Sequence, residues 1–111
     1  MSDWVDAIVL RVLVSNDDTQ DGRPLYEAIL ASAHDAKLAG ATVLRGIAGY
    51  GRSTHVHEIW RGFSYDLPIV IEIVDREAKI AAWLPTLERL RQGAVVTQQQ
   101  VRALLSSETG R

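Results

Sequence analysis

The chain has no cysteine, which removes disulfides, thiolate catalysis and thiolate-held metals in one step. It has no long apolar run either. Stretches such as Ala7 to Leu10 fall far short of the roughly 20 residues a membrane-spanning helix needs. No basic block or stripe appears, and the formal net charge is −2, which points away from nucleic acid. The N-terminus carries Ser2, Asp3 and Asp6 where a secretory signal would carry a basic region, so a cytoplasmic protein is expected. What remains is ordinary for a globular protein: 47% hydrophobic and 23% charged residues. At 111 residues the expectation is a single domain, 1–111, with one modest core and a frayed tail over 106–111.

Periodicity divides the chain into six main elements. From Asp6 to Val14 both alternating sets are apolar, Ile8, Leu10, Val12 and Val14 on one and Ala7, Val9 and Leu13 on the other, broken by Arg11. That pattern is a strand buried on both faces. Asn16 to Gly22 is a polar turn region. Pro24 suits a first helical position, and Leu25, Ala28, Ile29, Ser32, Ala33 and Ala36 follow at helical spacing with Gly40 as a stop. Ala41 to Ile47 reads as a second strand, residues 54 to 60 as an extended arm and 61 to 67 as a loop. Pro68 opens a third strand, Ile69 to Val74, apolar on both faces except at Glu72. Asp75 is placed to cap a second helix whose buried stripe is Ile80, Trp83, Leu84, Leu87 and Leu90, kinked at Pro85 and closed by Gly93. Ala94 to Leu105 is a last strand.

The order βαββαβ is the split βαβ, or ferredoxin-like, arrangement of the α+β class. Right-handed crossovers place both helices on one face of a four-stranded antiparallel sheet, with the first and third strands central. Those two strands are apolar on both faces, yet the helices can cover one. An open apolar sheet face is rarely left to solvent, and another copy of the chain is the simplest cover. Arg11 and Glu72, each the single charge on its strand face, are expected to pair on that open side.

The stretch G46-I-A-G-Y-G-R-S-T-H-V-H57 holds three glycines, an arginine and two histidines. Gly46, Gly49 and Gly51 either bend a strand end or bring backbone N–H groups to an anion, with Arg52 as a forked donor. The glycines end a strand and open no helix, unlike a dinucleotide fingerprint, and no P-loop lysine follows. His55 and His57 share a strand face and form an alternative metal pair, though two ligands lack a nearby third; the expectation is no metal. His34 falls on the polar side of its helix. No nucleophile–base pair or carboxylate dyad stands out, so the chain does not read as an enzyme.

The run VLRGIAGYGRSTHVHEIWRGFSYDLPIVIEIVD, followed by a helix and GAVVT, resembles the PII-like signalling proteins, within them the domain-of-unknown-function family 190. The likeness covers about Leu10 to Val101; PLYEAI and GATVLRGIAGYG are its more specific parts. It implies a homotrimer with sheets turned inward and nucleotides, ATP, ADP or another adenine nucleotide, in the clefts between subunits. A loop after the second strand, here about 51–66, would respond to them and dock onto a membrane transporter or a regulated enzyme. Gly49, Tyr50, Gly51 and Arg52 match the corner at the base of that loop, beside Gly46. The PII family's second glycine-rich loop, which carries a lysine, corresponds here to Gly93 to Thr97, with one glycine and no lysine. The loop is shorter than in PII proteins, and the basic C-terminal segment is reduced to Arg102 and Arg111. Arg61-Gly62-x-x-Tyr65 matches the surroundings of a loop tyrosine that some PII proteins have modified; the alternative is a packing tyrosine. Trp60, Phe63 and Tyr65 are the candidate partner-docking residues. The other open readings are a metal-binding trimer of the metal-tolerance type and an interaction module without a small ligand.

Overall fold

A computed structural model of the chain describes residues 3–49 and 67–106. The elements run β1 (Val5–Ser15), β2 (Thr19–Gln20), β3 (Arg23–Pro24), α1 (Leu25–Asp35), β4 (Gly40–Arg45), β5 (Pro68–Arg76), α2 (Glu77–Leu90) and β6 (Val95–Ala103). The four long strands form one sheet in the order β4-β5-β1-β6, every neighbouring pair antiparallel. This is the expected ferredoxin-like arrangement, with the two doubly apolar strands at its centre.

Side-chain alternation sorts the two faces. Ile8, Leu10, Val12 and Val14 of β1 and Ile69, Ile71 and Ile73 of β5 point to the helices and are buried. Leu25, Ile29 and Ala33 from α1, with Ile80, Trp83 and Leu87 from α2, complete that core. Burying each large aliphatic side chain here stabilises the fold by about 1.5–3 kcal/mol. Trp83 also satisfies its indole, donating to Ser32 Oγ at 3.0 Å across the helix pair.

Among the described residues, no element covers the other face. Antiparallel register stacks it into rungs: Gly40–Val74–Val9–Gln99, Thr42–Glu72–Arg11–Thr97 and Leu44–Val70–Leu13–Val95. The last rung is apolar across all four strands, and Leu13, Leu44 and Val95 are 45%, 48% and 53% exposed. The middle rung holds the expected ion pair, Arg11 Nε donating to Glu72 Oε2 at 2.9 Å, with Arg11 Nη1 donating to Gln99 Oε1 at 3.0 Å.

Several boundaries differ from the sequence expectation. Asp75 does not cap α2. It ends the covered row of β5, 2% exposed, and its carboxylate accepts the N–H of Ala39 at 2.9 Å and of Arg76 at 2.6 Å. Arg76 occupies the cap position and makes no side-chain capping hydrogen bond. The polar turn after β1 contains the β2–β3 hairpin, turned through Asp21 (φ 52°) and Gly22 (φ 83°). Pro24 stands one residue before the helix rather than inside it. Gly40 opens β4 and stops no helix; α1 ends at Asp35, and Lys37 takes the left-handed position (φ 61°). β4 ends at Arg45, before Ile47. Leu84 is exposed because the stripe of α2 that meets the sheet runs through Ile80, Trp83 and Leu87. α2 continues past the exposed Pro85 to Leu90. Among the described residues, no helix is long and apolar enough to cross a membrane.

Candidate functional site

Two segments from the sequence pattern fall in the described residues, Gly46 to Gly49 and Gly93 to Thr97. Both lie at the same end of the sheet. Leu44 and Val95 share a rung, and Gly46 and Gly93 each lie two residues beyond it, just outside the two outer strands. Three strand spacings separate them within one protomer, roughly 14 Å.

The first wall is shaped by Pro68. Gly46 N–H donates to the Pro68 carbonyl at 2.7 Å, closing the sheet where β4 leaves it. A Cβ at Gly46 would stand 2.7 Å from Pro68 Cγ, closer than any side chain tolerates. Gly49 has φ +153°, where an L side chain is strained, and a Cβ there would press Pro68 Cγ at 3.2 Å. Packing on Pro68 therefore accounts for both glycines locally. Between them Ile47 is 90% exposed. Tyr50, Gly51, Arg52, His55, His57, Trp60, Phe63 and Tyr65 lie outside the described residues, as does the tail over 107–111.

The second wall is the α2–β6 junction. Arg91 caps α2, and Gln92 (φ 54°) and Gly93 (φ 79°) follow in successive left-handed conformations. Ala94 N–H donates to the Arg91 carbonyl at 2.8 Å. Arg91, which the sequence reading passed over, stands in this wall. Its Nη1 donates to the Ala94 carbonyl at 2.7 Å, while Nε and Nη2 fork onto Glu88 at 2.8 and 3.2 Å. The hydrogen bond from Arg91, then its charge, holds the Glu88 carboxyl below its ordinary pKa, and the same pair raises the guanidinium. An arginine thus stands two residues before Gly93, in the segment that has no lysine. Its signal was a basic residue in the turn where a helix ends and a glycine follows. Beside it an open groove runs between α2 and β6, lined by Leu84, Pro85, Arg91, Ala94 and Val96.

Thr97 stands apart from this wall, exposed on the open sheet face opposite Arg11. His34 is exposed on α1, as expected. Among the described residues no group of three or more His, Asp or Glu side chains is placed to hold a metal.

Comparison with known proteins agrees with this architecture. The family DUF190, described as Uncharacterized ACR, matches residues 7–103. A UPF0166 protein of Aquifex aeolicus is 36% identical over 92 residues, covering 81% of this chain and 87% of that one. A UPF0166 protein of Methanocaldococcus jannaschii is 36% identical over 84 residues, covering 75% and 77%. Among solved structures, CPII from Thiomonas intermedia K12, bound to ADP, AMP and acetate, superposes with a TM-score of 0.62 at 15% identity, covering 91% of both chains. A putative PII-like signaling protein from Thermus thermophilus gives 0.60 at 16% identity over 92% and 93%. At such identities the likeness is one of fold, and the fold is PII-like.

Proposed function

The chain belongs to the DUF190 family, and from its PII-like fold we propose that it is a regulatory protein that binds an adenine nucleotide between subunits of a homotrimer. The observation that carries the reading is the placement of the two walls. They sit at one end of the sheet on opposite edges, roughly 14 Å apart, too far within a protomer for both to grip the same phosphates. A head-to-tail ring of copies would set the β4 edge of one beside the β6 edge of the next and close the walls on each other. The open sheet face, with its apolar rung, would turn inward in the same ring. CPII, of like fold, holds ADP and AMP, which supports an adenine nucleotide as the class of ligand.

In this reading Gly46, Gly49, Tyr50, Gly51 and Arg52 form one wall, and Arg91 with Gly93 forms the other. Backbone N–H groups and the Arg52 guanidinium would hold the phosphates, since a planar fork matches two phosphate oxygens, while Arg91, its fork engaged by Glu88, would add positive charge beside them. Thr97, on the open face, would contribute through a neighbour if at all. Ligand would order residues 51–66, and Trp60, Phe63 and Tyr65 would carry the change to a membrane transporter or a regulated enzyme, an order–disorder switch. In this reading His55 and His57 take no part in holding a metal.

Calorimetry with ATP, ADP and AMP tests the reading directly. Arg52→Ala should weaken binding about tenfold to hundredfold, the loss of a charge-assisted hydrogen bond worth about 1.5–3 kcal/mol, and Arg91→Ala should weaken it as well. His55→Ala with His57→Ala should leave it unchanged. If the histidine pair abolishes binding of a divalent metal while neither arginine affects any nucleotide, the metal-binding alternative stands instead.

A further inference from the structure

The α2–β6 junction is not a free-standing turn. Gln92 reaches out of it to the β2–β3 hairpin, its Nε2 donating to the Thr19 carbonyl at 2.8 Å and to Gln20 Oε1 at 3.1 Å. Both hydrogens of that amide are thereby engaged. Gln20 is itself oriented, its Nε2 lying 3.4 Å from Asp21 Oδ2, which leaves Oε1 to face Gln92. The clamp joins segments more than 70 residues apart in sequence.

The backbone beneath the clamp is unusual. Gln92 holds φ at 54°, a conformation that costs a non-glycine residue and persists where surrounding contacts enforce it. Gly93 follows at 79°, and the pair of left-handed residues sets where Arg91 and Ala94 meet. On its other side, the hairpin leads to the residue that precedes β5. Leu25 N–H donates to the Asp18 carbonyl at 2.7 Å, Asp18 N–H to the Ser15 carbonyl at 3.1 Å, and Asn16 N–H to the Leu67 carbonyl at 2.8 Å. Leu67 is the residue at which the described chain resumes before β5.

We propose that Gln92 is a positioning residue: its clamp makes the α2–β6 junction and the β2–β3 hairpin one rigid unit, pre-forming the Arg91 wall for a phosphate-bearing ligand. The ligand part rests on the function proposed above; the clamp does not. A donor with two hydrogens at this position preserves the unit, and an acceptor destroys it by facing the Thr19 carbonyl.

The test compares Gln92→Ala, Gln92→Glu and Gln92→Arg with the unaltered full-length protein. Backbone 15N order parameters for Thr19 to Arg23 and Gln92 to Ala94 should fall together in the alanine and glutamate variants. They should recover in the arginine variant, while α1 and β5 stay unchanged. ADP, read by calorimetry, should bind about three- to tenfold more weakly to the first two and regain affinity in the third, with the melting temperature little moved. Order parameters that stay high in both segments of Gln92→Ala overturn the clamp. Loosened segments with unchanged ADP affinity overturn the positioning role. If the unaltered protein binds no ADP, the nucleotide reading and Gln92's role in it fall together, while the order parameters still decide the clamp.

Discussion

At the scale of single residues, two ion pairs behave differently because one faces solvent and the other an open sheet. Glu88 and Arg91 sit on the surface, and the carboxyl is held below its ordinary pKa by the arginine's hydrogen bond and charge. A carboxyl depressed on folding supports the native pairing above its unfolded value and loses it as pH falls through the folded one. The pair is therefore intact at neutral pH and opens in acid, below the ordinary glutamate range. Glu88→Gln should open it at neutral pH, freeing Arg91 and removing a negative charge beside the proposed phosphate wall. ADP affinity should rise about threefold or more, measured by calorimetry, and an unchanged affinity would detach Arg91 from the site. Arg11 and Glu72 are each 38% exposed in their side chains, between surface and core. A solvated pair is worth about 0–1 kcal/mol, whereas breaking a buried one costs about 3–5 kcal/mol. The cost of removing one partner thus reports whether a neighbour covers the face. Urea unfolding of Glu72→Ala should show a loss in the upper range, and Arg11→Leu with Glu72→Leu should recover most of it. A loss near zero would leave this face in water.

At the scale of elements, Asp75 shows what sequence patterning conveys and what it omits. The alternation from Ile69 to Val74 marks β5 and its two apolar faces, and the helical stripe through Ile80, Trp83 and Leu87 marks α2, because side-chain periodicity is set by local geometry. Where one element yields to the next depends on partners distant in sequence. Asp75 has the residue type of a helix cap but binds the N–H of Ala39, 36 residues away, and so extends the strand. Gly40 likewise resembles a helix stop, while Lys37 takes the left-handed turn because Lys79 Nζ, at 3.2 Å from its carbonyl, and Asp75 both hold that corner. The hairpin after β1 was hidden because two-residue strands carry no period at all. The first half of the candidate site was legible as a glycine pattern; its second half was not, since Arg91 and Gln92 act through geometry at a helix end. Asp75→Ala should strand two part-buried N–H groups and cost about 1–3 kcal/mol in urea unfolding. Asp75→Asn, which keeps one acceptor oxygen, should cost less. Equal losses would mean the site is read by volume and not by its hydrogen bonds.

At the scale of the whole molecule, the open sheet face is where the proposed trimer would close. Its apolar rung, Leu44–Val70–Leu13–Val95, spans all four strands, and three of its four residues are about half exposed. Leu13 touches the protomer's own core little, so a charge there should leave the isolated fold intact. Val70, on the same rung, is less exposed than Leu13, so a charge there would also strain the protomer. The two substitutions therefore separate assembly from folding. Light scattering of the unaltered chain at micromolar concentration should give the mass of a trimer. Leu13→Asp should give a folded monomer, because three carboxylates would be buried against one another without partners. Val70→Asp should dissociate the trimer and lower the melting temperature as well. The walls at Gly46–Gly49 and Arg91–Gly93 belong to opposite edges, so the folded Leu13→Asp monomer should also lose nucleotide binding although it retains every residue of both walls. A Leu13→Asp monomer that binds ADP as tightly as the unaltered protein would place the site within one protomer and overturn the ring.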